Sequence, residues 1–287
     1  DTHPAHLAAP VLVEAVRRAG IDPALLEDVI LGCVSPTGEQ GGNIARIAAL
    51  HAGFPVHVPG VQLNRMCGSS QQAVHFAAQA ILAGDMDIVL AGGIEHMTRV
   101  PMGSDWPREG IPGWPYRWEH QGISAEMIAE KWKLPREALD DFAYGSHAKA
   151  ATATTAGYFE REILPLAVTV DGKEVVARTD EGIRMAPDRE KMAALKPVFK
   201  EGGVITAGNS SQISDAAAAL VIASGEAVHR HNLTPRARIV ARVVTADDPE
   251  IMLTAPIPAT KKVLAKAGLR LEDIDLILDN SLKVARE

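Results

Sequence analysis

Val61-Gln-Leu-Asn-Arg-Met-Cys67-Gly-Ser-Ser-Gln-Gln-Ala-Val-His-Phe-Ala-Ala-Gln-Ala-Ile81 joins an apolar run to an alanine-rich one through a cysteine and a glycine. The run from Val58 to Met66 predicts a strand and Ser69 to Ala83 predicts a helix, with Cys67-Gly68 as the joint. The first N–H groups of a helix have no partner inside it and favour negative charge beside them. A thiol placed there, followed by a residue with no side chain to block approach, has the layout of an activated nucleophile. Free cysteine is also among the most often buried residues, so an inert core thiol is the competing reading of the pattern alone.

Outward from this joint, helix and strand alternate, which predicts an α/β protein with buried, largely parallel strands. Pro10 to Arg18 reads as an amphipathic helix stopped by Gly20, Asp28 to Leu31 as a strand, and Pro36 to Gly42 as a loop. Gly42 to Leu50 reads as a second helix, and Asp87-Ile-Val-Leu-Ala91 as a buried strand running into Gly92-Gly93. An internal echo is present: Val13–Leu31 and Ala259–Leu278 both run helix, Ala-Gly-apolar, Leu-Glu-Asp, apolar strand, which predicts a duplicated half-domain.

Residues 103–150 differ in character. All four tryptophans, Trp106, Trp114, Trp118 and Trp132, fall there, and Pro107, Pro112 and Pro115 break regular structure before Ser124. The segment reads as a surface insertion with a small core of its own, as a lid bringing apolar walls to a ligand, or as both. Thr206-Ala-Gly-Asn-Ser-Ser211-Gln-Ile-Ser-Asp215-Ala-Ala-Ala-Ala219 reads as a polar loop ahead of a helix of small residues. Taken bare, it is a capped turn that can also offer backbone donors to a ligand.

Bulk properties narrow the classes. A net charge of −7 with both signs interspersed gives no support for nucleic-acid binding. No apolar run is long enough to cross a bilayer. Two cysteines, Cys33 and Cys67, exclude a disulfide scaffold and point to a cytoplasmic setting, with an organellar one open. The ten histidines show no metal-ligand spacing; His229-x-His231 reads as a solvated pair and His75 as a hydrogen-bonded core residue.

Asn64-Arg-Met-Cys67-Gly-Ser-Ser resembles the acyl-accepting cysteine motif of the thiolases, the acetyl-CoA acetyltransferases and 3-ketoacyl-CoA thiolases. Further stretches follow in the family's order. Gly42-Asn-Ile-Ala-Arg46 is similar to a segment near the family's dimer interface. Gly92-Gly-Ile-Glu-His-Met97 is similar to a Gly-Gly-x-Glu-x-Met pattern, with His96 in place of a commoner Ser. His120-Gln-Gly-Ile-Ser-Ala-Glu126 resembles a stretch of the lid, with Gln121 where Met is usual, which makes the acyl pocket more polar. Asp180-Glu-Gly-Ile-Arg184 with Leu195-Lys-Pro-Val-Phe199, then Thr206-Ala-Gly-Asn, and finally the strand Asp273–Asn280 complete the series.

The resemblance implies a layered α/β/α fold with duplicated half-domains and a lid or loop insertion. Residues 1–102 would be the amino-terminal half-domain carrying the nucleophile. Residues 103–200 would form the lid over the coenzyme A site, and 201–287 would return to the core and begin the carboxy-terminal half. It implies acyl transfer between coenzyme A thioesters through Cys67, with no cofactor or metal. Coenzyme A contacts are implied at Arg184, Ala207, Ser211, His120 and Gln121. An oxyanion water is implied at Asn280, although Ser281 and Leu282 depart from the family's Glu-Ala. A homodimer or homotetramer is implied too.

The family's first strand, its Gly-His-Pro histidine and its second cysteine are absent, and the chain opens Asp1-Thr-His-Pro without Met. A fragment of an active enzyme is therefore one expectation. A catalytically deficient relative that binds acyl-CoA or partners an active subunit is the other. A ketoacyl-synthase-type condensing enzyme fits less well, lacking the lid and the Thr-Ala-Gly-Asn patch.

Overall fold

A computed structural model describes residues 2–107 and 109–276. In chain order the elements are α1 (Pro4–Ala19), β1 (Asp28–Gly32), α2 (Ile44–His51), β2 (Val61–Leu63), α3 (Ser69–Ala83), β3 (Ile88–His96) and α4 (Gln121–Trp132). There follow α5 (Arg136–Thr155), β4 (Leu166–Val170), β5 (Lys173–Ala177), α6 (Arg189–Ala193), β6 (Asp215–Ala223), α7 (Gly225–Arg230) and α8 (Pro256–Ala267). Contacts divide the described residues into two units, one of residues 2–107, 163–178 and 213–239, the other of residues 109–162, 179–212 and 240–276.

The first unit is built on a four-stranded sheet ordered β2-β1-β3-β6. β1 runs parallel to β2 and β3, while β6 is antiparallel to β3 over its whole length. Because side chains alternate across a strand, β1 and β3 feed two cores. Val29, Leu31, Ile88 and Leu90 face one, packed with α1 and α2; Ile30, Val89 and Ala91 face the other, packed with α3. Helices therefore cover both faces, the layered α/β/α arrangement. β4 and β5 form a separate antiparallel hairpin in the same unit.

Several boundaries differ from the sequence reading. α1 begins at Pro4 rather than Pro10: His3 caps it by accepting from the Ala5 N–H at 3.1 Å, and Pro4 fills a first-turn position where no N–H is needed. α2 begins at Ile44 because Gly42 and Asn43 both hold positive φ, at 63° and 66°. The strand expected from Val58 to Met66 shrinks to Val61–Leu63: Val58 donates to the Pro55 carbonyl, and a tight turn starts at Asn64. The small residues Asp215–Ala219 form the start of strand β6, not a helix. Alanine's helix propensity is a weak prior, and nine residues of pairing with β3 override it. β3 runs on through Gly92-Gly93 to His96, paired with β6 as far as Asp215, and a side chain at either glycine would overlap a neighbour: the Ala218 carbonyl at Gly92, the Ser70 hydroxyl at Gly93. His75 is half-buried on α3 rather than a core residue.

The internal repeat is present as geometry, in a different register from the one read in the letters. Gly20 ends α1 at φ 70°, ψ 30°, and Gly268 ends α8 at φ 69°, ψ 27°. A single 3₁₀ turn begins three residues after each glycine, at Pro23 and at Leu271. Leu271–Asp273 therefore matches Pro23–Leu25, and the shared Leu-Glu-Asp is coincidental: Leu26 is buried, whereas Leu271 lies exposed within its turn. The strand expected to follow Asp273 runs into residues 277 onward, which lie outside the described residues.

The second unit is helical. Arg136 at the start of α5 donates to the carbonyls of Met192 (2.7 Å) and Leu195 (3.1 Å), covering the open end of α6. Trp114, Tyr116 and Trp118 cluster with ring centroids 5.8–5.9 Å apart, and all three are exposed.

Gly92→Ala should lower the free energy of unfolding by about 1–3 kcal/mol, because the added methyl meets a backbone carbonyl that cannot swing aside. Urea unfolding followed by circular dichroism measures this.

Candidate active site

Cys67 stands exposed at the tip of the turn between β2 and α3. Its neighbours are each tied down. Gly68 donates its N–H to the Arg65 carbonyl at 3.1 Å, and Ser69 donates to Met66 at 3.0 Å. The buried Ser69 hydroxyl accepts from the Arg65 N–H at 2.9 Å and donates to the Met66 carbonyl at 2.6 Å. Met66 is pushed to φ 47°, the left-handed region that few side-chain-bearing residues adopt. Gly68 caps α3 without a side chain. The positive dipole end of this 15-residue helix thus begins right after Cys67.

The helix start is set against the sheet at two glycines. A methyl at Gly32, the last residue of β1, would overlap the Ser69–Ser70 backbone, and one at Gly93 of β3 would overlap Ser70. Cys33, the next residue along from Gly32, is the opposite kind of thiol. It is buried, and burial, with a smaller contribution from the Glu95 carboxylate, pushes its pKa from 9.0 to about 12. His96, at the end of β3, is also buried, with Nδ1 3.2 Å from the Asp215 carboxylate.

His120, Gln121, Arg184, Ala207 and Ser211 lie in the second unit, all five of them exposed. His120 caps α4, its Nδ1 accepting from the Gly122 N–H at 3.1 Å, and its ring stacks on Phe199 at 5.0 Å. Gln121 opens α4. Phe199 belongs to a short strip in which Val198 donates to Ile205 at 3.0 Å and Pro197 bridges to Thr206, so His120 and the Thr206–Ser211 loop share one support. Asn209 organises that loop, accepting from the Thr206 N–H (2.9 Å) and donating to Asp140 (2.8 Å) and the Val204 carbonyl (3.0 Å). Ala207 and Ser211 are its exposed members. Arg184 donates its backbone N–H to His147 Nδ1 at 3.2 Å, and the Gly182 carbonyl accepts from the Gln212 side chain, which joins Arg184 to the end of the same loop. Asn280 lies outside the described residues.

Glu126 is the residue that sequence reading passed over. It is 3% exposed, and its carboxylate accepts from the N–H groups of Val204 (3.0 Å) and Ile205 (2.8 Å), with Gly203 making room. The available signal was helical spacing: Gly122, Glu126 and Ala129 share the buried face of α4, where a lone acid needs donors.

A family model described as the thiolase N-terminal domain matches residues 1–226, and one described as the thiolase C-terminal domain matches residues 233–281. The chain belongs to the thiolase family. Among relatives of this thiolase, the steroid 3-ketoacyl-CoA thiolase FadA6 of Mycobacterium tuberculosis is 45% identical over 289 residues, covering 96% of this chain and 70% of the relative. The acetyl-CoA acetyltransferase of Syntrophomonas wolfei is 39% identical over 310 residues, covering 100% and 78%. The crystal structure of the Bacillus anthracis acetyl-CoA acetyltransferase superposes with a TM-score of 0.89 at 37% identity, covering 99% of this thiolase and 75% of that chain.

In the folded protein, iodoacetamide should label Cys67 and leave Cys33 unmodified until the chain is unfolded, as read by peptide mass spectrometry. The raised Cys33 pKa also sets a direction for stability. Below pH 9 both states keep the proton; between pH 9 and about 12 the unfolded chain loses it first, so stability should fall as pH rises through that window. Cys33→Ser should flatten that part of the pH profile.

Proposed function

We propose that this thiolase transfers acyl groups between coenzyme A thioesters through an acyl-Cys67 intermediate. In the degradative direction, the Cys67 sulfur, once its proton has been taken, attacks the keto carbon of a 3-ketoacyl-CoA. The bond between that carbon and the α-carbon breaks, the acyl group stays on sulfur, and the departing acetyl-CoA carbanion takes up a proton. The thiol of a second coenzyme A then attacks the acyl-Cys67 carbonyl and regenerates the cysteine. In reverse, an acetyl-CoA carbanion attacks the acyl-enzyme, a Claisen condensation. Sulfur suits both directions because it is a good nucleophile and a good leaving group.

The observation that carries this reading is the exposed thiol at a helix start with no side chain at Gly68 to shield it. The positive dipole end of α3 there favours the negative charge that builds on the attacked carbonyl. Arg184 supplies a guanidinium for a coenzyme A phosphate, Ala207 and Ser211 line the pantetheine arm, and His120 and Gln121 shape the acyl end. Asn280 would hold the oxyanion water. A homodimer or homotetramer in a cytoplasmic setting, needing no cofactor beyond the thioester itself, belongs to the same reading.

Incubation with acetoacetyl-CoA, acid quenching and peptide mass spectrometry should show one acetyl group on Cys67, absent from Cys67→Ala. Label elsewhere, or none, would favour the catalytically deficient acyl-CoA binder.

A further inference from the structure

The turn that carries Cys67 is braced from β3 by a chain of hydrogen bonds running through one residue of the loop after β1. Val34 is held on both sides of its peptide. Its N–H donates to Glu95 Oε2 at 2.6 Å, and its carbonyl accepts from Asn64 Nδ2 at 2.7 Å. The other end of the Asn64 amide, Oδ1, accepts the Met66 N–H at 2.8 Å, immediately before Cys67 and at the residue with φ 47°. Glu95 is fixed in turn. Its Oε1 accepts from Gln40 Nε2 at 2.9 Å, and the fully buried Gln40 also donates to the Ser35 carbonyl (2.9 Å) and accepts from the His96 N–H (2.6 Å).

We propose that Asn64 and Glu95 are positioning residues for the nucleophile: Asn64 spans Val34 and Met66, Glu95 anchors Val34 to β3, and together they hold Cys67 at the start of α3. Polarity makes Asn64 specific. Its two partners are a carbonyl and an N–H, so the site takes a side chain with one donor end and one acceptor end at this length. An aspartate there sets a carboxylate against the Val34 carbonyl, and an alanine leaves both groups unpaired. A left-handed Met66 stores strain that relaxes unless its surroundings over-determine it. The Asn64 acceptor and the Ser69 hydroxyl are the side-chain groups that do so.

The link to turnover rests on the acyl-transfer reading, so the test carries one readout that does not. Asn64→Asp and Asn64→Ala are compared with the parent for acylation of Cys67 by acetoacetyl-CoA, for KM, for the rate of Cys67 alkylation by iodoacetamide, and for melting temperature. Glu95→Gln, which leaves the turn's own sequence intact, serves as the independent variant. The expected result is acylation and alkylation slowed about tenfold or more with KM within about twofold and the fold retained. Parental rates in folded variants overturn the proposal. So does a loss of rate matched by an equal rise in KM or tracking loss of the folded state. If the parent is not acylated at all yet alkylation slows in the variants, the positioning role stands and the acyl-transfer reading falls.

Discussion

The first turn of α3 can lie where it does because two strands present no side chain to it. Gly32 ends β1 and Gly93 sits within β3, and a methyl on either would occupy space held by Ser69 or Ser70. This approach lets the helix start where the sheet ends, and the start of the helix is where Cys67 projects. Packing, helix electrostatics and chemistry meet here. The apolar contacts of Ala73 and Ala77 with Ile30, Val89 and Ala91 hold the body of α3, and the glycine contacts fix how far its end reaches. Exposure of the sulfur follows from that reach, in contrast to Cys33, one residue past Gly32 and facing a packed interior.

The second unit meets a similar problem by a different device. The Thr206–Ser211 loop is held without its outer face being covered. Here the support comes from behind. A buried carboxylate, Glu126, gathers the donors of Val204 and Ile205, and Asn209 ties the next residues to Asp140 and Val204. A buried charge without donors is costly, so the loop and the carboxylate stabilise each other. Ala207 and Ser211 are left facing outward.

How much of this the sequence disclosed depends on the range of the interaction involved. The helix after Cys67 was legible to the residue, Ser69 to Ala83, because a serine start, an alanine-rich body and Gly84 at its end are local signals. The alternating α/β order and the family's motifs were legible for the same reason. The strand before Cys67 was overread, since nothing in the apolar letters reports that the Asn64 side chain turns back to the Met66 N–H. Asp215–Ala219 was misassigned because a run of alanines is silent about a strand partner more than a hundred residues away. Glu126, Glu95 and Gln40 escaped for that reason too: their partners are distant in sequence, and one acidic letter in a helix does not say which backbone it faces. Leu-Glu-Asp misled through chance identity, where the conformations of Gly20 and Gly268 give the true register of the repeat.

Close approach at the two glycines sets the reach of Cys67, and a paired substitution tests this most directly. The rate of acetyl-Cys67 formation is measured for Gly93→Ala alone and together with Ser70→Gly, which removes the hydroxyl the new methyl would strike. The account predicts a rate lowered about tenfold or more in the single variant and partly restored in the double, where the Gly32 carbonyl still lies 2.9 Å from the added methyl. A single variant that acylates at the parental rate would contradict it, as would a double variant that folds yet stays as slow as the single.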